Sequence, residues 1–181
     1  SVNFIMFIFT YIILYIQGDS LSLAFNTAIS FITNTNLQHY SGEVLNSTIS
    51  RLILINLMFT SAATGMVICM AVIRGIMGIK LGNFYEDLVK VVIRLLLPIS
   101  LVVAILLVIC GLPQTFDNQV IVRTLEGKYQ AIALGPVAAW EAIKHLGNNG
   151  GGLFTANSAH PFENISIWSN YIEMLFMMVF P

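Results

Sequence analysis

The 181-residue chain is 57% hydrophobic and 9% charged, with 8 Lys+Arg against 9 Asp+Glu and a mean hydropathy of +0.83. Soluble domains carry roughly 25% charged residues, so this composition excludes an ordinary soluble domain and a disordered one. A net charge of -1 leaves no basic surplus for nucleic acid and no acidic tail. The expected class is an all-α polytopic membrane protein.

Val2–Ile16 is almost wholly apolar but lacks the basic flank and small-residue cleavage site of a signal peptide. It reads as a span cut short at its start, as Ile165–Pro181 reads as one cut short at its end, with Glu173 as a polar intruder. A chain that begins at Ser1 and stops inside an apolar run is expected to be a fragment. Leu52–Ile73, between Arg51 and Arg74, and Leu95–Leu112, after Arg94, each meet the roughly 17–25 apolar residues that a spanning helix needs. Arg74–Arg94 holds Arg74, Lys80, Lys90 and Arg94, half of the basic residues, so the positive-inside rule makes it a cytoplasmic loop. Gly18–Arg51 and Pro113–Asn164 then face outside. Cys69 and Cys110, with no CxxC or flanking His, read as small buried hydrophobes.

Ala28–Asn36 matches Ala142–Gly150 at an offset of 114 residues, and the same offset carries Leu52 to Ser166. Two copies of one unit follow: span, short apolar helix, polar Asn/Gly/Thr turn, span. Residues 1–73 form the first repeat, 74–94 the cytoplasmic loop and 95–181 the second repeat. The first short helix is Ser20–Ile32, capped by Ser20 or Ser22, with Leu21, Phe25, Ala28, Ile29 and Ile32 at helical spacing. The second is Pro136–Leu146, with Pro136 in its first turn, Ala139, Ile143 and Leu146 as its stripe and Gly147 as its stop. Both are too short to cross a bilayer, and each runs into a polar stretch. They read as re-entrant pore helices, because non-helical backbone at membrane depth survives only inside protein or along a water-filled path.

Backbone carbonyls can cage a dehydrated potassium ion without adding formal charge, so the ion can also leave. Aiming successive carbonyls at one axis favours residues that tolerate positive φ, Gly and then Asn. Gly147-Asn148-Asn149-Gly150-Gly151-Gly152 is such a stretch, and Thr33-Asn34-Thr35-Asn36 is its Gly-free twin. The carbonyl ends of the short helices place partial negative charge beside both. Glu43 and Glu163 follow their turns, either as vestibule charges or as solvated ones. Glu141 and Lys144 stand three apart and pair across a helical turn. His39, His145 and His160 lack metal-ligand spacing. Ser61-Ala62-Ala63-Thr64-Gly65 reads as helix packing.

The strings Ser30–Glu43 (SFITNTNLQHYSGE), Thr60–Met66 (TSAATGM), Gly135–Gly152 (GPVAAWEAIKHLGNNGGG) and Ala156–Asn164 (ANSAHPFEN) closely resemble the KdpA family, the potassium-binding subunit of the bacterial potassium-transporting ATPase. The resemblance covers essentially the whole chain and about a third of a family member. It implies span–pore helix–span repeats of the potassium-channel-like superfold, four in a full member and incomplete here, with one filter loop from each repeat. By motif, Thr33, Asn34, Thr35 and Asn36 would be the first potassium-filter loop and Gly147, Asn148, Asn149 and Gly150 the second, supported by Gln38, Gly151 and Gly152. The implied partners are a P-type ATPase catalytic subunit, small accessory membrane subunits and the bilayer of the bacterial inner membrane, which the protein crosses several times. The implied ligand is transported potassium. No nucleotide or aspartyl-phosphate motif is present, so ATP hydrolysis would fall to the separate subunit. The chain departs from the family pattern at Leu37, Asn148, Leu153, Thr155 and Glu173. The alternative is a secondary potassium transporter or channel of the same superfold, against which the GNNGGG and ANSAHPFEN strings argue. A hydrolase built on His39, Ser41 and Glu43 lacks a strained nucleophile turn.

Overall fold

The structure, a computed structural model, describes residues 2–37 and 47–180, with the side chains of Val2 and Asn3 left out. The expected support Gln38 lies outside the described residues, as do Glu43, His39 and Ser41. Helices dominate: α1 Val2–Ile16, α2 Leu21–Ile32, α3 Thr48–Ile76, α4 Phe84–Lys90, α5 Leu97–Ile109, α6 Val137–Leu146 and α7 Ile167–Met177. The all-α expectation is corrected by an antiparallel hairpin, β1 Gln119–Arg123 with β2 Tyr129–Ala133, in register Gln119↔Ala133 to Arg123↔Tyr129. Its turn uses Gly127 at φ +82, and mostly exposed strands leave little apolar pattern to read.

Among the described residues two helices are long and apolar enough to cross a membrane: Thr48–Ile76, 29 residues, and the continuous run Phe84–Ile109, 26 residues. At ~1.5 Å per residue the first is about 43 Å long, more than a hydrocarbon core. Only 22% of the most apolar window of Phe84–Ile109 is buried. Its outward face, including Leu101, Val102 and Ile105, is apolar and exposed, which suits lipid or further chain rather than water.

The expected loop 74–94 is therefore much shorter. Helix α3 runs to Ile76, and Asn83 opens α4 by accepting from the Tyr85 and Glu86 amides. Arg74 ion-pairs with Asp87 and donates to the Leu81 carbonyl at 2.9 Å, so the basic end of α3 folds over this connection. Between α4 and α5 the backbone widens into a π-helical stretch, Val91–Leu96, where the Leu97 amide reaches back to Val92. Pro98 follows, at the start of α5. Its ring would clash with the carbonyl four residues earlier, and the wider turn accommodates it.

Helix α2 begins where expected, with the Ser20 hydroxyl accepting from Leu23 N at 3.2 Å. Its buried face differs from the expected stripe. Ala24, Thr27, Ala28 and Phe31 face the protein, while Leu21 and Phe25 are half exposed. Small residues allow close approach to α3, and Phe25 packs edge-on against Phe7 and Tyr11 of α1. Helix α6 starts one residue later than expected. Its first amides are satisfied from the preceding connection, Ala138 N by Pro113 O at 3.1 Å and Ala139 N by Gln114 Oε1 at 3.0 Å. Phe31 and Trp140 meet edge to face at 5.8 Å and join α2 to α6 in the main core.

Arg51, expected to flank a span, is instead buried and donates to the Leu134 carbonyl. A Cβ on Gly135 would stand 2.7 Å from its Nη1, so glycine makes room for the guanidinium. The cysteines also differ from expectation: Cys69 is exposed, and Cys110 is half-buried against the cluster of Val103, Leu107 and Leu112.

Candidate functional site: the paired turns

The two expected turns, 114 residues apart in the chain, meet. Each begins with the same local hydrogen bonding. Thr33 N reaches Ile29 O at 3.1 Å and Gly147 N reaches Ile143 O at 2.8 Å. Asn34 N bonds Phe31 O and Asn148 N bonds His145 O. Thr35 N bonds Ser30 O at 2.9 Å and Asn149 N bonds Lys144 O at 3.0 Å. The helix-ending residues have nearly the same backbone, φ -89 ψ 4 at Thr33 and φ -89 ψ 0 at Gly147. The left-handed residues match as well, Asn34 (φ 60) with Asn148 (φ 49) and Asn36 (φ 45) with Gly150 (φ 73). Asn is the non-glycine residue most at ease there, so the first turn dispenses with glycine.

Side-chain amides tie one turn to the other. Asn36 Nδ2 donates to Gly150 O at 3.1 Å, and Asn34 Nδ2 lies 3.4 Å from Gly147 O. Asn149 Nδ2 donates to the side-chain oxygen Oδ1 of Asn34 and, at 3.2 Å, to Met58 O. Ser61 Oγ donates to Asn34 Oδ1 at 2.9 Å and lies 3.3 Å from Asn149 Nδ2. Ser61 is thus more than packing: it anchors both turns to α3. Its small-residue run also admits the second turn, since a Cβ on Gly147 would lie 2.8 Å from Ala62 Cβ. Thr33 and Thr35 stay at the exposed side, their hydroxyls 2.9 Å apart.

The remaining glycines are braced from behind. Trp140 Nε1 lies 3.3 Å from Gly151 O. Glu163 is fully buried, and its carboxylate accepts from Phe154 N at 2.8 Å and Ser158 N at 3.0 Å. A Cβ on Gly152 would stand 2.2 Å from Glu163 Oε1. Glu163 is therefore neither a vestibule charge nor a solvated one. Burial, and secondarily the charge of Glu141, push its carboxyl up from the ordinary glutamate range, and the Phe154 amide pulls it back.

Beside the turns lies a cavity of about 450 Å³, lined by Asn34, Gly65, Met66, Cys69, Gly147 and Asn148. Cys69 is exposed to this space. The expected Glu141–Lys144 pair is present at 2.7 Å, buried at both ends. Sequence reading named Ser61 and Glu163 without these bracing roles and did not single out Trp140. The partners of Ser61 lie 27 and 88 residues away, and those of Trp140 and Glu163, 5 to 11 residues away, are brought round only by the folded loop. The small-residue run around Ser61 and the buried-type spacing of α6 were the available signals.

The described chain is mostly helical, with two helices long and apolar enough to cross a membrane and two like turns at the carbonyl ends of short helices, the build of a membrane protein. The chain belongs to the KdpA family, potassium-transporting ATPase A subunit, whose profile matches residues 1–181. It is similar to the "potassium-transporting ATPase potassium-binding subunit" of Caldanaerobacter subterraneus subsp. tengcongensis, 53% identical over 194 residues, which cover 99% of this chain and 35% of that protein. It is also similar to "potassium-transporting ATPase potassium-binding subunit 1" of Staphylococcus aureus (strain N315), 51% identical over 170 residues, 92% of this chain and 30% of that protein. The chain thus spans about a third of the length of these relatives.

Proposed function

We propose that this chain supplies two of four filter loops to a subunit that binds extracellular potassium and selects it for ATP-driven import. The observation that carries the reading is the matched pair of turns, with left-handed residues at equivalent positions and amides locking one loop to the other. The relatives' printed names support potassium as the ion.

In this reading the ion exchanges its water for backbone carbonyls of Thr33, Asn34, Thr35, Asn36, Gly147, Asn148, Asn149 and Gly150. A carbonyl carries two lone pairs, so Gly150 O can accept from Asn36 and still face an ion. Helices α2 and α6 act as pore helices, entering and leaving on the outer side with their partially negative ends at the filter. The cross-loop amides fix the spacing of the ring. Gln38, Gly151 and Gly152 support it, Gly152 by leaving room for Glu163. The connection between α3 and α4 faces the cytoplasm. Two further repeats complete the pore. A separate P-type ATPase subunit hydrolyses ATP, small accessory membrane subunits complete the complex, and the assembly sits in a bacterial inner membrane. This chain binds no nucleotide.

The test is uptake at low external potassium by the full-length subunit with its ATPase partner. Gly150→Asp puts a Cβ on a φ +73 backbone and a carboxylate beside the ion path. It is expected to raise the half-saturating potassium concentration at least tenfold, while Ser47→Ala leaves it unchanged. Equal affinity in both variants contradicts the reading.

A further inference from the structure

No pair of histidines stands at ligand spacing, yet the fold assembles a ligand set from two helices. Glu141 and His145 are one turn apart on α6, and Glu173 comes from α7. His145 Nε2 is 3.3 Å from Glu141 Oε2 and 3.2 Å from Glu173 Oε2, and one ligand atom from each residue lies within 4.8 Å of the other two. Glu141 is 0% exposed and Glu173 2%. Each keeps a buried carboxylate oxygen, Oε1, that meets no hydrogen-bond partner among the described residues. A buried carboxylate with a free oxygen is costly, and two of them converge on one imidazole.

We propose that Glu141, His145 and Glu173 form a binding site for a divalent transition-metal ion of the zinc type. Zinc holds imidazole nitrogen and carboxylate oxygen at about 2.0–2.2 Å, which at tetrahedral angles sets ligand atoms about 3.3–3.6 Å apart. Of the two imidazole–carboxylate separations, 3.3 Å lies at the lower edge of that range and 3.2 Å just below it. One nitrogen and two carboxylates suit zinc better than magnesium or calcium, which prefer oxygen alone. A cavity of about 210 Å³, lined by His145, Ser158, Asn164, Asn170 and Glu173, opens on the site and gives an ion and a fourth, water ligand a way in.

Lys144 and Ser158 form the surrounding support. Lys144 Nζ donates to Glu141 Oε2 at 2.7 Å and Ser158 Oγ donates to the same oxygen at 2.6 Å. They orient the carboxylate as outer partners of metal ligands do. Two carboxylates against one ammonium leave a net negative charge for a cation to meet. The bound ion would pin α7 to α6 immediately before Gly147. The site does not depend on the potassium reading.

The experiment uses the full-length subunit in its complex, stripped with chelator and then titrated with zinc or with cobalt as a spectroscopic probe. The expected result is one zinc per subunit and a visible cobalt d–d band. Glu173→Gln and His145→Gln each weaken binding at least tenfold, and His160→Gln leaves it unchanged. Zinc is also expected to raise the unfolding temperature of the unmodified protein, a readout independent of whether the variants fold. No band and no temperature shift in the unmodified protein overturn the proposal and leave a protonated imidazole between two carboxylates. Full metal retention in both variants overturns it as well.

Discussion

Asn36 donates its side-chain amide to the Gly150 carbonyl at 3.1 Å, and the two residues, 114 positions apart, hold matching places in two like turns. Both have left-handed backbone. One turn uses the side chain that the other lacks, so the pair is both alike in backbone and complementary in chemistry.

Removing that amide separates its two roles. Asn36→Gly keeps the left-handed backbone and loses the donor. Asn36→Ala loses the donor and strains the backbone. A hydrogen bond contributes about 1 kcal/mol and a strained φ of order 1–3 kcal/mol. In uptake assays on the full-length subunit, Asn36→Gly is expected to weaken potassium affinity several-fold and Asn36→Ala more. Equal, wild-type affinity in both would mean that the turns act independently.

Ser61 is the common anchor of both turns. Ser61→Ala leaves Asn34 Oδ1 without its donor from α3 and removes an acceptor near Asn149 Nδ2. Asn34 Oδ1 still accepts from Asn149 Nδ2, so the cost is that of one lost hydrogen bond, about 0.5–1.5 kcal/mol. Thermal unfolding of the purified complex is expected to show that loss together with weaker potassium affinity. Ser47→Ala, at a helix start where the side chain makes no capping bond, serves as the unaffected control.

Part of this arrangement was legible in the chain and part was not. The short helices announce themselves through Ser20, through Gly147 and through their length, and the 114-residue offset predicts that their turns are alike. Contacts between the turns were not legible, because nothing local to Asn34 or Asn36 names a partner more than 100 residues away. The helical spacing of Leu21, Phe25, Ala28, Ile29 and Ile32 marked a helix but not its buried face, which is Ala24, Thr27, Ala28 and Phe31, because large apolar side chains suit lipid as well as a core. Glu163 and Glu173 read as stray charges until the fold surrounded them. The hairpin was missed because its exposed strands carry no buried alternation.

Glu163 and Gly152 fit each other. Gly152→Ala drives a methyl group into a buried carboxylate, and overpacking of this kind costs about 1–3 kcal/mol. Glu163 also carries a pH dependence. Its carboxyl is raised above the unfolded value, so the folded state holds its proton longer. Its contribution is fully present below the unfolded value, about 4.3 for a glutamate, and is lost as pH rises through the raised one. Unfolding temperature measured against pH is expected to fall over that interval in the unmodified protein and to flatten in Glu163→Gln. An unchanged slope would remove Glu163 as the titrating group.

Sidedness follows from the basic connection after α3. In a background lacking Cys69 and Cys110, Lys80→Cys is expected to react only from the cytoplasmic side. Leu125→Cys, at the fully exposed hairpin tip, is expected to react only from outside. Reversed labelling would invert the chain and turn both short helices to the wrong face.

The most direct measurement is an anomalous-scattering map of the full-length subunit with rubidium in place of potassium. The account predicts a peak within carbonyl reach of both Thr33–Asn36 and Gly147–Gly150. A rubidium peak elsewhere, with none between these two turns, would contradict it.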